Sequence, residues 1–300
     1  MHLDMRVNGT TLLTGLIGNP VAHTVSPVLQ NSLFTAMGIN GVYLPLKVSP
    51  GELGEAVRGL KAVGFCGFNV TIPYKNEVIG LADELSEEVE LLGAANTIKI
   101  ADGRLYAFNT DADGFVRAFE EQTGACFNGR RVCILGAGGT ARALSVKIAL
   151  EGAASVCIVN RTESKAVELA SGVNRVMEQR GRAARTAFAA EAGSPEARRM
   201  LLECDILVNT TSAGMHPDVG GCPVESGLSF RDDQIVYDAI YNPAQTLLLK
   251  KAQACGCKTA NGAGMLFYQG IRAFEIWTGR TVPKSILEDL AADFLNYLER

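Results

Sequence analysis

The chain has 300 residues, 47% of them hydrophobic and 20% charged, with a net charge of -4. Such a composition can build cores and does not suggest disorder, and its acidic balance argues against a nucleic-acid or anionic-membrane partner. No stretch approaches the roughly 20 apolar residues of a spanning helix, and residues 1–6 carry no apolar leader.

At about 150 residues per domain, two domains are expected. The eight cysteines are too sparse for a disulfide scaffold. Cys133, Cys157 and Cys204 sit in apolar runs, as small buried hydrophobes of a reducing cytoplasm do. Cys255 and Cys257 are the only close pair and have no histidine nearby, so no metal site is expected.

Thr11 to Ile17 is an apolar run closed by Gly18-Asn19-Pro20, a turn signal. His23-Thr24-Val25-Ser26-Pro27 follows. Ser26 before Pro27 predicts a helix start, with the helix running to about Met37. Two readings of Ser26 stand: a plain cap, or, with Thr24, hydroxyls that hold a small anion at the helix start. Val42–Val48 is a predicted strand, Glu52–Val63 a helix and Cys66–Thr71 a strand. Strands alternating with helices imply an α/β layer. Pro73 is expected to open a further helix, with Lys75 in its first turn at the sheet edge where ligands bind. Asn96–Ile100, Asp102-Gly103 and Leu105–Phe108 predict a hairpin. Of the aspartates that follow, Asp113 suits a helix cap, which leaves Asp111 without a structural duty.

Arg131 to Ala141 reads Arg-Val-Cys-Ile-Leu-Gly-Ala-Gly-Gly-Thr-Ala. A buried strand runs into Gly136-Ala137-Gly138-Gly139-Thr140 and a helix follows to Leu150. This is the G-x-G-x-x-A dinucleotide turn in its strand–turn–helix context. Gly136 permits the tight turn, Gly138 admits a pyrophosphate and Ala141 allows close packing. Amides at the helix start then face the phosphates. The next strand, Ser155–Val159, ends at Asn160-Arg161-Thr162, with Lys165 one turn on. NAD-binding domains carry an acid there; donors and cations suit a 2′-phosphate.

Gly172–Pro195 is read as helix and loop. Asp205–Asn209 and Ile235–Ala239 are predicted strands, the second ending at Tyr241-Asn242-Pro243. A helix over Thr246–Ala254, a loop at Asn261–Gly264 and helices over Met265–Thr278 and Pro283–Leu298 complete the chain.

His23 to Pro27, Asn69-Val70-Thr71-Ile72-Pro73-Tyr74-Lys75, Gly93 to Thr97, Asn109-Thr110-Asp111, Gly136 to Ala141, Asn160-Arg161-Thr162 and Gly264 to Gln269 occur in one order. Together they resemble the shikimate dehydrogenase family across nearly the whole chain. The fold so implied is α/β: an N-terminal substrate domain over 1–110, a Rossmann-type doubly wound NADP-binding domain over 111–261, and C-terminal helices over 262–300 returning to the first domain.

The implied activity is reversible reduction of 3-dehydroshikimate to shikimate with NADPH, in aromatic amino-acid biosynthesis. By the resemblance Lys75 and Asp111 are catalytic. Thr24, Ser26, Thr71, Asn96, Asp111, Tyr241 and Gln269 hold the small-molecule substrate. The cofactor, NADP(H), lies on Gly136, Ala137, Gly138, Gly139, Thr140, Asn160, Arg161, Thr162 and Lys165, with its nicotinamide near Ala239 and Gly262 and with Glu87 at that end of the site. Two residues depart from the family pattern: Thr24 stands where serine is usual, and Lys165 where arginine is common. A quinate/shikimate dehydrogenase and a non-catalytic NADP-binding regulator remain as alternatives, and the retained Lys75 and Asp111 argue against the regulator. Oligomeric state stays open, a homodimer included.

Overall fold

In a computed structural model, residues 7–182 and 185–298 are described; the expectation for residues 1–6 lies outside them. The chain divides into two compact units. One comprises the residues up to Asp111 together with Phe267–Leu298, and the other is Ala112–Leu266.

The first unit is built on a mixed sheet of six described strands, in the order β2-β1-β3-β5-β6-β4. They are β1 (Leu12–Gly18), β2 (Gly41–Lys47), β3 (Phe65–Val70), β4 (Glu84–Leu85), β5 (Thr97–Ala101) and β6 (Arg104–Phe108). β1 pairs in parallel with both β2 and β3, while β3–β5 and β5–β6 are antiparallel. The β5–β6 turn is Asp102-Gly103, both with positive φ, as a two-residue hairpin of this twist requires. Helices α1 (Ser26–Ala36), α2 (Leu53–Ala62) and α3 (Glu87–Leu92) lie between the strands. The C-terminal helices return to this unit, as predicted. Trp277 donates from its indole to the Ile98 carbonyl at 2.9 Å, and Gln30 donates to the Gly270 carbonyl at 2.8 Å. Phe274 packs on Phe34 at 5.1 Å between ring centroids; truncating such a buried ring typically costs about 3–5 kcal/mol.

The second unit carries an all-parallel sheet in the order β12-β11-β10-β7-β8-β9. Its strands are β7 (Arg131–Leu135), β8 (Ser155–Asn160), β9 (Ala187–Glu191), β10 (Ile206–Asn209), β11 (Ile235–Asp238) and β12 (Lys258–Asn261). Counted within the unit this is the 3-2-1-4-5-6 order of a doubly wound fold, whose strand order reverses between β7 and β10. Helices α4 (Asp111–Thr123), α5 (Gly139–Leu150), α6 (Glu163–Gln179), α7 (Pro195–Glu203), α8 (Leu247–Ala254) and the start of α9 (Ala263–Thr278) accompany it; α10 (Lys284–Leu298) ends the chain.

Four local expectations are corrected. No α-helix opens at Pro73. Residues 72–76 form a turn, followed by a 3₁₀ segment over Glu77–Leu81. The Lys75 carbonyl accepts from the Ala95 amide at 2.8 Å, so it is not free to start an i→i+4 ladder. Ser26 does not cap α1; it is the first helical residue, preceded by Val25, with no side-chain cap. Asp113 does not cap either. α4 already begins at Asp111, and Asp113 pairs with Lys147 at 2.9 Å. Lastly, the Gly172–Pro195 stretch holds α6 residues and the strand β9, and β12 immediately precedes the predicted loop. With β4, these unsignalled strands are all sheet edges, short and paired on one side only, where the hydrophobic pattern is weakest.

Candidate functional site

Lys75 and Asp111 meet in the first unit. The ammonium donates to Asp111 Oδ2 at 2.6 Å, with the side chains 32% and 19% exposed. The other carboxylate oxygen accepts from Asn96 Nδ2 at 2.9 Å. Asn96 is fixed in turn: its Oδ1 accepts from the Thr110 N–H at 2.8 Å, and Gln269 Oε1 lies 3.5 Å from its Nδ2. A backbone N–H can only donate, so the orientation of this amide is settled. Four predicted site residues, Lys75, Asn96, Asp111 and Gln269, are thus in one cluster.

Behind them runs a buried polar layer that the sequence reading did not single out. Asn69 donates to Thr97 Oγ1 at 3.0 Å and to the Asn96 carbonyl at 3.1 Å. Its Oδ1 accepts from the Tyr43 hydroxyl at 2.8 Å. A polar Asn69 inside an apolar strand was the available signal, since buried amides persist only when satisfied. Burial holds the Tyr43 hydroxyl protonated far above its ordinary range, with the Ser26 hydroxyl beside it acting weakly in the opposite direction.

The anion-binding candidates come from neighbouring strand ends. β1 leads into the loop bearing Thr24 and Ser26, and β3 leads into Thr71 and Lys75. The two exits are tied by Thr71 N–H to the Ile17 carbonyl and Asn19 N–H to the Ile72 carbonyl, each at 3.0 Å. Thr24 Oγ1 accepts from the Ser26 amide at 3.3 Å, which leaves its own proton for a ligand. Glu87 sits exposed in the first turn of α3, where the helix dipole favours an acid.

In the second unit, Gly136 has φ +105° and a Cβ there would meet Thr210 Oγ1 at 2.8 Å, so both backbone and space demand glycine. A Cβ on Gly138 or Gly139 would meet nothing within 4 Å. The helix α5 starts with no side-chain cap, and its amides face this glycine-lined opening, the arrangement that accepts a pyrophosphate. Arg161, Thr162 and Lys165 are exposed at the end of β8 and start of α6, with Asn160 half-buried beside them. The donors present therefore fit a dinucleotide carrying a 2′-phosphate. Ala239 and Gly262 adjoin: the Gly262 amide donates to the Ile240 carbonyl at 3.1 Å, and a Cβ on Gly262 would lie 2.1 Å from the Ala239 oxygen. Tyr241 is half-buried, and burial raises its hydroxyl pKa. Among the described residues, no three His, Cys, Asp or Glu side chains gather as metal ligands, and no helix is long and apolar enough to cross a membrane.

Comparison with known proteins gives three family-model matches. Residues 16–98 match a shikimate dehydrogenase substrate binding domain, 118–216 a shikimate/quinate 5-dehydrogenase, and 262–291 a shikimate 5′-dehydrogenase C-terminal domain. A shikimate dehydrogenase (NADP(+)) from Methanopyrus kandleri is 41% identical over 98% of this chain and 100% of its own. A solved shikimate 5-dehydrogenase from Thermus thermophilus, in complex with NADP(H) and shikimate, has TM-score 0.82 at 30% identity, covering 95% of this chain and 100% of that one. A 5-ketofructose reductase from Gluconobacter has TM-score 0.82 at 36% identity, covering 95% and 99%.

Proposed function

We propose that this chain, which belongs to the shikimate dehydrogenase family, catalyses the reversible NADPH-dependent reduction of 3-dehydroshikimate to shikimate as a cytoplasmic enzyme. The observation that carries the proposal is the Lys75–Asp111 pair at 2.6 Å, held by Asn96. The cofactor, when bound, supplies the hydride. A ketone that gains hydride becomes an alkoxide and needs a proton. Lys75 as ammonium stabilises that charge and donates the proton; in the reverse direction its amine removes one. Asp111 keeps the ammonium in place through the 2.6 Å hydrogen bond. Asn96, with its amide orientation settled, has its N–H bonds directed at Asp111 and Thr110 and holds the carboxylate against rotation. Thr24 and Ser26 offer hydroxyls to the substrate carboxylate, and Gln269 and Thr71 serve its ring hydroxyls. Such a site rejects ligands that leave its buried polar groups unpaired. Gly136 to Thr140 would hold the pyrophosphate and Arg161 with Lys165 the 2′-phosphate.

The test is an assay of the purified protein following NADPH absorbance with 3-dehydroshikimate, and NADP reduction with shikimate and with quinate. 5-Ketofructose belongs in the same panel, since a relative of similar identity is named for its reduction. The expected result is turnover with 3-dehydroshikimate and shikimate at the highest kcat/KM. Higher kcat/KM with quinate or 5-ketofructose would reassign the substrate, and NADP(H) binding without any turnover would favour a regulator.

A further inference from the structure

The Asp238 side chain, at the end of β11, is fully buried, and the chemistry above gives it no task. It accepts from Thr246 Oγ1 at 2.6 Å, Asn209 Nδ2 at 2.9 Å and the Ile240 N–H at 3.1 Å. All three donors are neutral. Burial raises the pKa of the carboxyl, against the three hydrogen bonds that lower it. Keeping a carboxylate there without a cation costs stability that an apolar side chain would not.

What the carboxylate gains for the fold is position. Each donor belongs to a different segment at the C-terminal edge of the sheet. Asn209 ends β10, and its Oδ1 accepts from both the amide and the hydroxyl of Thr211, at 3.0 and 2.8 Å. Ile240 opens the turn after β11. Thr246 caps α8, its oxygen accepting from the Leu249 N–H at 3.4 Å. The same turn is tied again by the Ala239 N–H to the Asn209 carbonyl at 2.9 Å.

A dinucleotide crosses a doubly wound sheet where the strand order reverses, one half on each side. Here the reversal lies between β7 and β10. The cations that suit a 2′-phosphate stand at the end of β8, which assigns the adenosine half to that side. The other half then lies over the ends of β10 and β11, the segments that Asp238 ties together. We infer that Asp238 is a positioning residue for the nicotinamide half of the cofactor, acting through Asn209 and the Ile240 amide on the segments 209–211 and 239–241. The inference rests on the NADP reading proposed above.

The test is calorimetric titration of the full-length protein with two ligands, NADPH and 2′-phospho-ADP-ribose, which lacks the nicotinamide. Asp238→Asn keeps the shape and turns one acceptor into a donor facing a donor. It is expected to weaken NADPH about tenfold while leaving the fragment within about twofold, the scale of one charged hydrogen bond misplaced. Thr246→Val removes one donor and is expected to show the same selectivity at smaller size; it decides the matter if Asp238→Asn does not fold. Equal weakening of both ligands, a larger loss for the fragment, or unchanged NADPH binding overturns the inference. If the parent protein binds neither ligand, the NADP reading itself fails and the inference falls with it.

Discussion

The two units hold their functional residues in opposite ways. In the first unit, Lys75, Asp111, Asn96, Thr110, Thr97, Asn69 and Tyr43 form one continuous set of side-chain hydrogen bonds, most of it buried. In the second unit, the proposed phosphate ligands are backbone amides beside open glycines and the exposed side chains of Arg161, Thr162 and Lys165. The difference follows from the chemistry each proposes to serve. Proton transfer needs one group at one place in one protonation state, and buried partners supply that. Anion binding needs donors and positive potential, which a helix start and solvated cations supply without a network. Substitutions in the first unit should therefore be read in kcat, and those in the second in cofactor affinity.

The sharpest way to break this contrast is Lys75→Ala. It is expected to lower kcat by about a hundredfold or more, the scale of a positioned acid–base group, with NADPH affinity nearly unchanged. Steady-state kinetics with a parallel NADPH titration checks both halves; a folded variant with near-parent kcat removes Lys75 from the mechanism. Next in size is Arg161→Ala. Loss of one phosphate contact should reduce kcat/KM for NADP(H) by about tenfold, with little change for NAD(H). Equal losses with the two cofactors would mean that Arg161 does not read the 2′-phosphate.

A smaller effect is expected at Thr24, where the hydroxyl matters and the methyl adds only shape. Thr24→Ser should leave shikimate kcat/KM within about tenfold, one methyl's contact being lost. The parent should prefer shikimate to quinate by an amount a single methyl can impose, about 1–3 kcal/mol. A parent that uses the two acids equally well sinks this assignment.

The smallest effect contrasts the two ends of the parallel sheet. At its N-terminal edge, burial opposes ionisation of Asp205, but hydrogen bonds from the Arg131 guanidinium and amide outweigh it and lower the pKa. Asp205 thus contributes stability that is present above the ordinary carboxyl pKa of about 3.9 and lost as pH falls through the lowered value. Asp238, at the C-terminal edge, has a raised pKa. The folded state holds its proton longer than the unfolded chain, so stability declines as pH rises from about 3.9 through the raised value. Urea unfolding across that acid range should show Asp205→Asn flattening the loss on acidification and Asp238→Asn removing an opposing slope. The same slope in both variants would contradict the opposite shifts.

What the sequence determined by itself is what short-range sterics and periodicity control. The dinucleotide turn was legible because Gly136 must take φ +105° against Thr210 while strand and helix patterns flank it. The Asp102-Gly103 hairpin was legible for the same kind of reason, and so were most central strands, whose burial on both faces leaves an apolar run. Lys75 and Asp111 could be singled out by position and motif, but not how they are held. The tertiary structure decided that Lys75 sits in a turn, because its carbonyl bonds to Ala95, far along the chain. It decided that β9 and β12 are strands, because an edge takes its pairing from a neighbour rather than from its own hydrophobicity. And it decided that Asn69, Thr97 and Asp238 are buried polar residues satisfied across segments, Asn69 by Tyr43 and Thr97, and Asp238 by Asn209 and Thr246; such partners depend on which chain ends the sheets bring together, and no local pattern encodes them.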